Sequence, residues 1–405
     1  MVNPSTASER IFEPGERANV RPMRHTENLY EYLSRRGGPG WENVRALVNA
    51  WFAHIPDAPA TSKGRLDLLA KLRSRKSDTW TAGFWELYLH ESLRRAGYEV
   101  EIEPEIEGSS KHPDFFVRGH GHEFYVEAVA VTAGPETRQE RRRPHLYDYL
   151  NDHPHQNFFI GLEIEREGAA DVPVRSLVRD VTGWLDSLDP DATTLDDSVG
   201  WQGNGWLLRL RPAAKKPEAR MIPSETLIGV YPMQSGSVDI SARIRNSLRS
   251  KASRYGPLDR PYLVALTAST IFADDYNIAQ ALLGPEVVQF SPSHPESSTL
   301  VRARDGLLMR RDGPQNKRVS GFLFAWNVSP VTLMHVRPQV WLNPWAPPER
   351  CLTAPLPWDR VVIDGTTGAT TTEPTDFDAL GFFGLPADWP GYDERPFGWR
   401  RVSAD

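Results

Sequence analysis

The sequence predicts an α/β protein in which a mixed sheet is flanked by helices, and three stretches carry that expectation. TWTAGFWELYLHESLRRAG (79–97) places apolar residues at 84, 85, 87, 88, 89 and 93 and ends in Gly97, the pattern of a buried helix with a glycine after its last turn. EVEIEPEI (99–106), DFFVRG (114–119) and EFYVEAVAV (123–131) read as three short strands, separated by the turn sequences GSSKHP and GHG. PYLVALT (261–267) is an unbroken apolar run of the kind found in buried parallel strands, and a helical stretch with an Asp start (239–255) precedes it.

The remaining elements fall on either side of this unit. Residues 41–53 (WENVRALVNAWFA) read as an amphipathic helix. In 62–76 (SKGRLDLLAKLRSRK), Leu66, Leu69 and Leu72 form an apolar stripe and six basic residues stand against one Asp. That basic face is either solvated or a phosphate contact. Strands are expected at 157–165, 206–210, 226–231, 318–328 and 338–343, and a helix at 174–188. The last 60 residues, rich in Pro, Gly, Trp and Thr, are expected to be mostly irregular. The expected domains are therefore an N-terminal helical extension (1–78), an α/β core with insertions (79–268) and a strand-containing, Pro-rich C-terminal region (269–405).

Composition removes several function classes. With 405 residues, 40% hydrophobic and 10% aromatic, the chain has ample material for a core. No apolar run reaches the roughly 18–20 residues of a membrane helix, and the N-terminus has no apolar secretory segment. A cytoplasmic protein is the expectation. The single cysteine, Cys351, excludes an internal disulfide framework and a cysteine-cluster zinc site. A net charge of -6 excludes a globally basic nucleic-acid coat, so any such contact rests on local patches. Only eight lysines are present, at 63, 71, 76, 111, 215, 216, 251 and 317, which shortens the search for a catalytic one. Nucleotide-binding and hydrolase signatures (G-x-x-x-x-G-K-[ST], G-x-G-x-x-G after a strand, H-E-x-x-H, G-x-S-x-G) are absent. His120 and His122 form an H-x-H pair at a hairpin tip with no third zinc ligand in view.

Three carboxylates stand out in the helix–strand unit. Glu86 lies mid-helix among Phe84, Trp85, Leu87 and Tyr88, Asp114 follows Pro113 at a strand entrance, and Glu127 sits in an apolar strand between Val126 and Ala128. Each has an ordinary reading: a paired helix glutamate, a turn aspartate, an edge-strand charge. A carboxylate inside an apolar strand is nevertheless costly unless it is paired or metal-bound. Adjacent antiparallel strands bring such an Asp and Glu to one edge, where an all-oxygen set suits Mg²⁺ or Mn²⁺.

The order helix-Glu (FWELYLHE), Pro-Asp at a strand entrance (KHPDFFV), then Glu in the next strand (YVEAVAV) resembles the PD-(D/E)XK nuclease superfamily. The resemblance covers about 50 residues closely and extends loosely to 239–267. It implies a restriction-endonuclease-like α-β-β-β-α-β core, metal ligation by Glu86, Asp114 and Glu127, and a catalytic lysine. The family lysine stands two residues after the strand glutamate, where this chain has Val129. Two lysines are candidates to replace it. Lys251 precedes Tyr255 by one helical turn in a K-x-x-x-Y that resembles the Q-x-x-x-Y of RecB-like members; Lys111 lies three residues before Asp114.

The implied function is a Mg²⁺- or Mn²⁺-dependent nuclease acting on DNA or RNA, with Glu127 and Lys251 or Lys111 in catalysis. Arg138, Arg141, Arg142 and Arg143 are candidates to grip phosphate, or else belong to a solvated loop. The alternative is a nuclease-like module that has lost catalysis and binds nucleic acid or protein. Oligomeric state is open, a homodimer included, and no membrane partner is expected. Replacing Lys251 by Met is expected to leave folding nearly intact.

Overall fold

A computed structural model of the chain describes residues 10–56, 62–106, 110–131, 142–222, 224, 226–231, 239–256, 258–269, 274–291 and 294–391. Four helices come first: α1 (Leu29–Arg35), α2 (Pro39–Ala53), α3 (Ser62–Leu72) and α4 (Ser77–Arg95). Strands β1 (Glu99–Ile102), β2 (Phe115–Gly119) and β3 (His122–Val131) follow. Then come α5 (Arg143–Asn151), β4 (Phe158–Arg166), α6 (Val174–Asp186), β5 (Val199–Gly203), β6 (Trp206–Ala214) and β7 (Ile228–Val230). After α7 (Ile240–Ala252) stand β8 (Tyr262–Ala268) and α8 (Asp275–Leu283), then the hairpins β9 (Glu286–Ser291)/β10 (His294–Arg302) and β11 (Met309–Arg310)/β12 (Gly313–Pro314). The chain closes with β13 (Gly321–Trp326), β14 (Gln339–Leu342), β15 (Asp359–Ile363), β16 (Thr370–Glu373) and α9 (Ala379–Phe383).

Two compact units result. The first takes the described parts of 1–18, 33–132 and 239–405; the second takes 19–32 and 133–238. These lines cut across the three segments expected from sequence. Helices α2 to α4 and the C-terminal strands join the first unit, α1 is divided between the two, and the second unit is largely one long insertion between β3 and α7.

The first unit is built on a mixed eight-stranded sheet in the order β1-β2-β3-β8-β13-β14-β15-β16. β1, β2 and β3 form an antiparallel meander. Its β2–β3 turn is two residues, His120 and Gly121, both at positive φ (53° and 77°), the combination that matches the twist of paired strands. β8 runs parallel to β3 on one side and to β13 on the other, and all seven of its residues are buried, as its unbroken apolar sequence foretells. The sheet continues through β16 at residue 373, while most of the described residues after 345 lie outside helices and strands, as the composition indicates.

Parity along β3 sorts its side chains. Tyr125 and Val129 join Ile244 and Leu248 of α7, Ile278 of α8 and Val264 and Leu266 of β8 in one core. Glu127 shares that parity. Helix α4 is fixed to the sheet by its buried Trp85, whose indole N–H donates to the Ala265 carbonyl at 3.0 Å. It ends as its sequence indicates: Gly97 takes φ +87°, and the Tyr98 N–H reaches back to the Leu93 carbonyl at 3.1 Å.

Helix α3 turns out differently from the sequence expectation. Leu68, Leu69 and Leu72 are buried while Leu66 is 52% exposed. The buried stripe therefore runs 65, 68, 69, 72. Arg65 completes it. Its guanidinium lies over the Phe52 ring at 4.4 Å and donates to the Phe52 and Ile55 carbonyls at 3.1 and 2.6 Å, satisfying the open end of α2. One of the six basic residues is thus a structural plug.

The second unit is a four-stranded sheet, β5-β6-β4-β7. Leu146 and Leu150 of α5 and Leu177, Val181 and Leu185 of α6 pack with Phe158, Ile160, Trp206 and Leu208 in a separate core.

His90 of α4 is buried, and its Nδ1 has no hydrogen-bond partner among the described residues. Burial pushes its pKa down to about 4 from 6.5, with Arg94 and His54 adding to the effect and Glu91 opposing it. The unfolded chain therefore binds a proton that the folded chain refuses between these two values. Stability from this group is complete above pH 6.5 and falls as pH drops toward 4, by up to about 3 kcal/mol. Urea unfolding of His90→Leu at pH 7 and pH 4.5 should show a correspondingly shallower loss than wild type. Equal losses in the two proteins would remove His90 from the acid sensitivity.

Candidate functional site

Two of the three acids singled out by sequence, Asp114 and Glu127, face each other in the first unit, and the third, Glu86, lies near enough to act on the ionisation of Asp114. The β2–β3 ladder pairs Phe115 with Val126, so the next step sets Asp114 opposite Glu127 on one face. The Asp114 main chain is held by β1 through the Glu103 N–H, which donates to its carbonyl at 3.0 Å. Its side chain closes the ladder where β2 stops: Oδ2 accepts from the Ala128 N–H at 2.6 Å.

Glu127 is 1% exposed and bonded at both oxygens. Lys251 Nζ lies 2.5 Å and Arg254 Nη1 3.1 Å from Oε1. The Tyr255 hydroxyl lies 2.6 Å from Oε2 and 2.7 Å from the His112 carbonyl, and its single proton serves one of them at a time. The helix expected to run to residue 255 ends at Ala252. Tyr255 therefore meets Glu127 from beyond the helix end, and Arg254 joins it from the same turn. Asp239 starts α7 as its sequence indicates, accepting from the Ala242 N–H at 2.8 Å.

Glu86 is held from the other side. Lys71, near the end of α3, contacts both of its oxygens, at 2.7 and 2.8 Å. This lysine was legible only as one charge of a basic helix; the signal it offered was its place beside Leu72, at the margin of the buried stripe. Lys111 sits elsewhere, its ammonium 3.4 Å from the Arg254 carbonyl.

The acids feel one another. Burial first, then the charges of Glu127 and Glu86, push Asp114 up to about 8, against the pull of the Ala128 N–H and Lys251. Burial also raises Glu86, with Lys71 and Lys251 opposing and Glu103 adding to it. Tyr255 is raised by burial and then by Glu127. Lys71 loses solvation, yet Glu86, Asp114 and Glu103 together hold its pKa above the ordinary value. The arrangement is a half-buried set of like charges only partly offset by cations of the chain itself, and such a set attracts a further cation.

Among the described residues no three His, Cys, Asp or Glu side chains stand as a ready ion-ligating group. The contacts give the physical reason. Lys71 covers Glu86; Lys251, Arg254 and Tyr255 cover Glu127; a backbone amide takes one oxygen of Asp114. The donor chemistry suits a hard divalent ion, which would offset the burial and the repulsion that together raise Asp114.

The other candidates are in ordinary bonds. His120 Nε2 is 2.9 Å from the Ala96 carbonyl, and His122 Nδ1 is 3.4 Å from Thr353 Oγ1. Arg138 and Arg141 lie outside the described residues. In the second unit Arg142 pairs with Asp171 at 2.9 Å and Arg143 with Glu167. No helix among the described residues is long and apolar enough to cross a membrane. Comparison with protein families, with curated proteins and with solved structures finds no match to this chain.

The charge crowding makes a stability prediction. Asp114→Asn keeps an oxygen for the Ala128 N–H and is neutral without the proton uptake that burial and the neighbouring acids impose on Asp114. The metal-free variant should unfold at higher urea than wild type at pH 7.5, by about 2 kcal/mol. A variant of equal or lower stability would show that the three acids do not strain the fold.

Proposed function

We propose that the chain is a metal-dependent phosphodiesterase acting on DNA or RNA, built on a core that resembles the restriction-endonuclease-like fold of the PD-(D/E)XK superfamily. The observation that carries this reading is the Lys251 ammonium at 2.5 Å from the buried Glu127 carboxylate, reached from α7 rather than from position 129. The element order α4-β1-β2-β3-α7-β8, with an antiparallel meander followed by a parallel strand, supports it.

In this reading Glu86, Asp114 and Glu127 would hold one or two Mg²⁺ or Mn²⁺. When bound, such an ion polarises a phosphodiester and acidifies a water. The chain's own residues do the rest. The Ala128 N–H fixes the Asp114 carboxylate, Tyr255 and Arg254 orient Glu127, and Lys251 offers positive charge to the attacked phosphate and its developing oxyanion.

The second reading, a module that has lost catalysis and binds nucleic acid or protein, draws on a different observation. Every one of the three acids already has an internal partner, and position 129 is valine. An internally neutralised site can persist as structure alone.

Lys251 is 23% exposed and pairs with a buried acid, so its removal is not silent for stability as a surface lysine's would be. Lys251→Met should cost about 1–3 kcal/mol and abolish most Mg²⁺- or Mn²⁺-dependent cleavage of single- or double-stranded DNA or RNA, while metal binding persists. Lys111→Met should cleave nearly as wild type. Cleavage that survives Lys251→Met and falls with Lys111→Met would exchange the two roles. A wild-type protein that cleaves none of these substrates would replace the enzyme reading with the binding module.

A further inference from the structure

Lys71 is placed by packing rather than by chance contact. Gly83 lies one turn before Glu86 on the same face of α4, and α3 passes directly over it. A Cβ at Gly83 would stand 2.8 Å from the Lys71 Cβ and 3.3 Å from the Leu72 amide nitrogen. Only a glycine lets the two helices approach this closely, and the approach is what aligns the ammonium with both oxygens of Glu86. The pair is half-sheltered, with Lys71 at 34% and Glu86 at 14% exposure.

Charge counting then gives this contact a consequence. The cluster holds four acids (Glu86, Asp114, Glu127 and nearby Glu103) against three cations (Lys71, Lys251, Arg254), which leaves about one negative charge with every group ionised. A divalent ion added to that set leaves an excess of about one positive charge in a partly desolvated place. It must also take an oxygen of Glu86 that an ammonium already contacts at 2.7 Å. The ammonium has to leave, and a lysine so released needs a new acceptor. A phosphate bound beside the ion supplies one, because its oxyanions accept charge-assisted bonds and offset the excess charge.

We propose that Lys71 is a built-in occupant of the cation position at Glu86, and that its release couples metal binding to phosphate binding at this site. The inference rests on the metal-site reading given under Proposed function and adds a regulation to it: metal alone binds weakly, and metal with a phosphate ester binds cooperatively. Lys71 thereby acts as a positioning residue that passes from Glu86 to the substrate phosphate.

The test is a Mn²⁺ titration of the full chain followed by electron paramagnetic resonance of the free ion, with and without thymidine 5′-monophosphate. In wild type the nucleotide should tighten Mn²⁺ binding about tenfold, and by linkage Mn²⁺ should tighten nucleotide binding equally. In Lys71→Met, Mn²⁺ alone should bind about tenfold more tightly than in wild type, and the nucleotide effect should fall to about twofold or less. Lys71→Gln, which keeps a donor without the charge, should behave like Lys71→Met and guards against a packing defect. Lys71→Arg should restore the wild-type coupling. If wild type binds Mn²⁺ and both neutral variants match it in affinity and coupling, Lys71 is a structural ion pair only and the inference falls while the metal site stands. If neither wild type nor the variants bind Mn²⁺ with or without the nucleotide, the metal-site reading itself falls and takes this inference with it.

Discussion

Burying the Glu127 carboxylate in the middle of β3 removes a charge from water, at a cost of several kcal/mol unless partners surround it. Those partners come from one short run of chain. Lys251 takes one oxygen together with Arg254, and Tyr255 takes the other. The requirement fixes where α7 ends, because residues 254 and 255 must turn back toward the sheet. It also sets the approach to β8, which follows seven residues after Tyr255 and pairs Val264 with Glu127. The Tyr262 side chain packs edge-on against Tyr255 at 5.7 Å and donates to the Lys251 carbonyl at 3.2 Å, so the same contacts hold the helix end to the strand start. One buried acid thus ties the meander to the parallel half of the sheet.

The remaining acids inherit their geometry from that junction. Asp114 lies opposite Glu127 because β2 and β3 pair in register, and its carboxylate replaces the ladder bond that β2 no longer supplies. Glu86 arrives from α4, fixed by Trp85 to β8 and by Lys71 to α3. The result is a cluster near charge balance with no external ion. It holds its shape without one, at the expense of burying and crowding three acids, and the raised pKa of Asp114 records first the burial and then the crowding.

Much of this was legible in the sequence. The buried helix, the meander and the apolar β8 announced themselves by periodicity, and the three acids by standing among apolar neighbours. Lys251 was legible because so few lysines compete for its role. Other parts were not, for physical reasons. Lys71 and Arg65 sit on a helix whose orientation is set by the close passage over Gly83, a tertiary contact that leaves no periodic mark. Arg65 reads as solvated charge until the Phe52 and Ile55 carbonyls at the end of α2 are seen within its reach. Arg254 lies past a helix end that the sequence places three residues too late. The second unit escaped because its strands read as insertions in one core, whereas their apolar faces close on α5 and α6 in a core of their own.

In the proposed function, Glu86, Asp114 and Glu127 form a divalent-cation site held in readiness by lysine and arginine. Anomalous scattering from crystals soaked in Mn²⁺ and thymidine 5′-monophosphate tests it most directly. The account predicts a manganese peak in direct contact with carboxylate oxygens of these three residues, with the Lys71 ammonium withdrawn from Glu86. Crystals in which Lys71 still bridges both Glu86 oxygens and no manganese contacts Asp114 or Glu127 would contradict it.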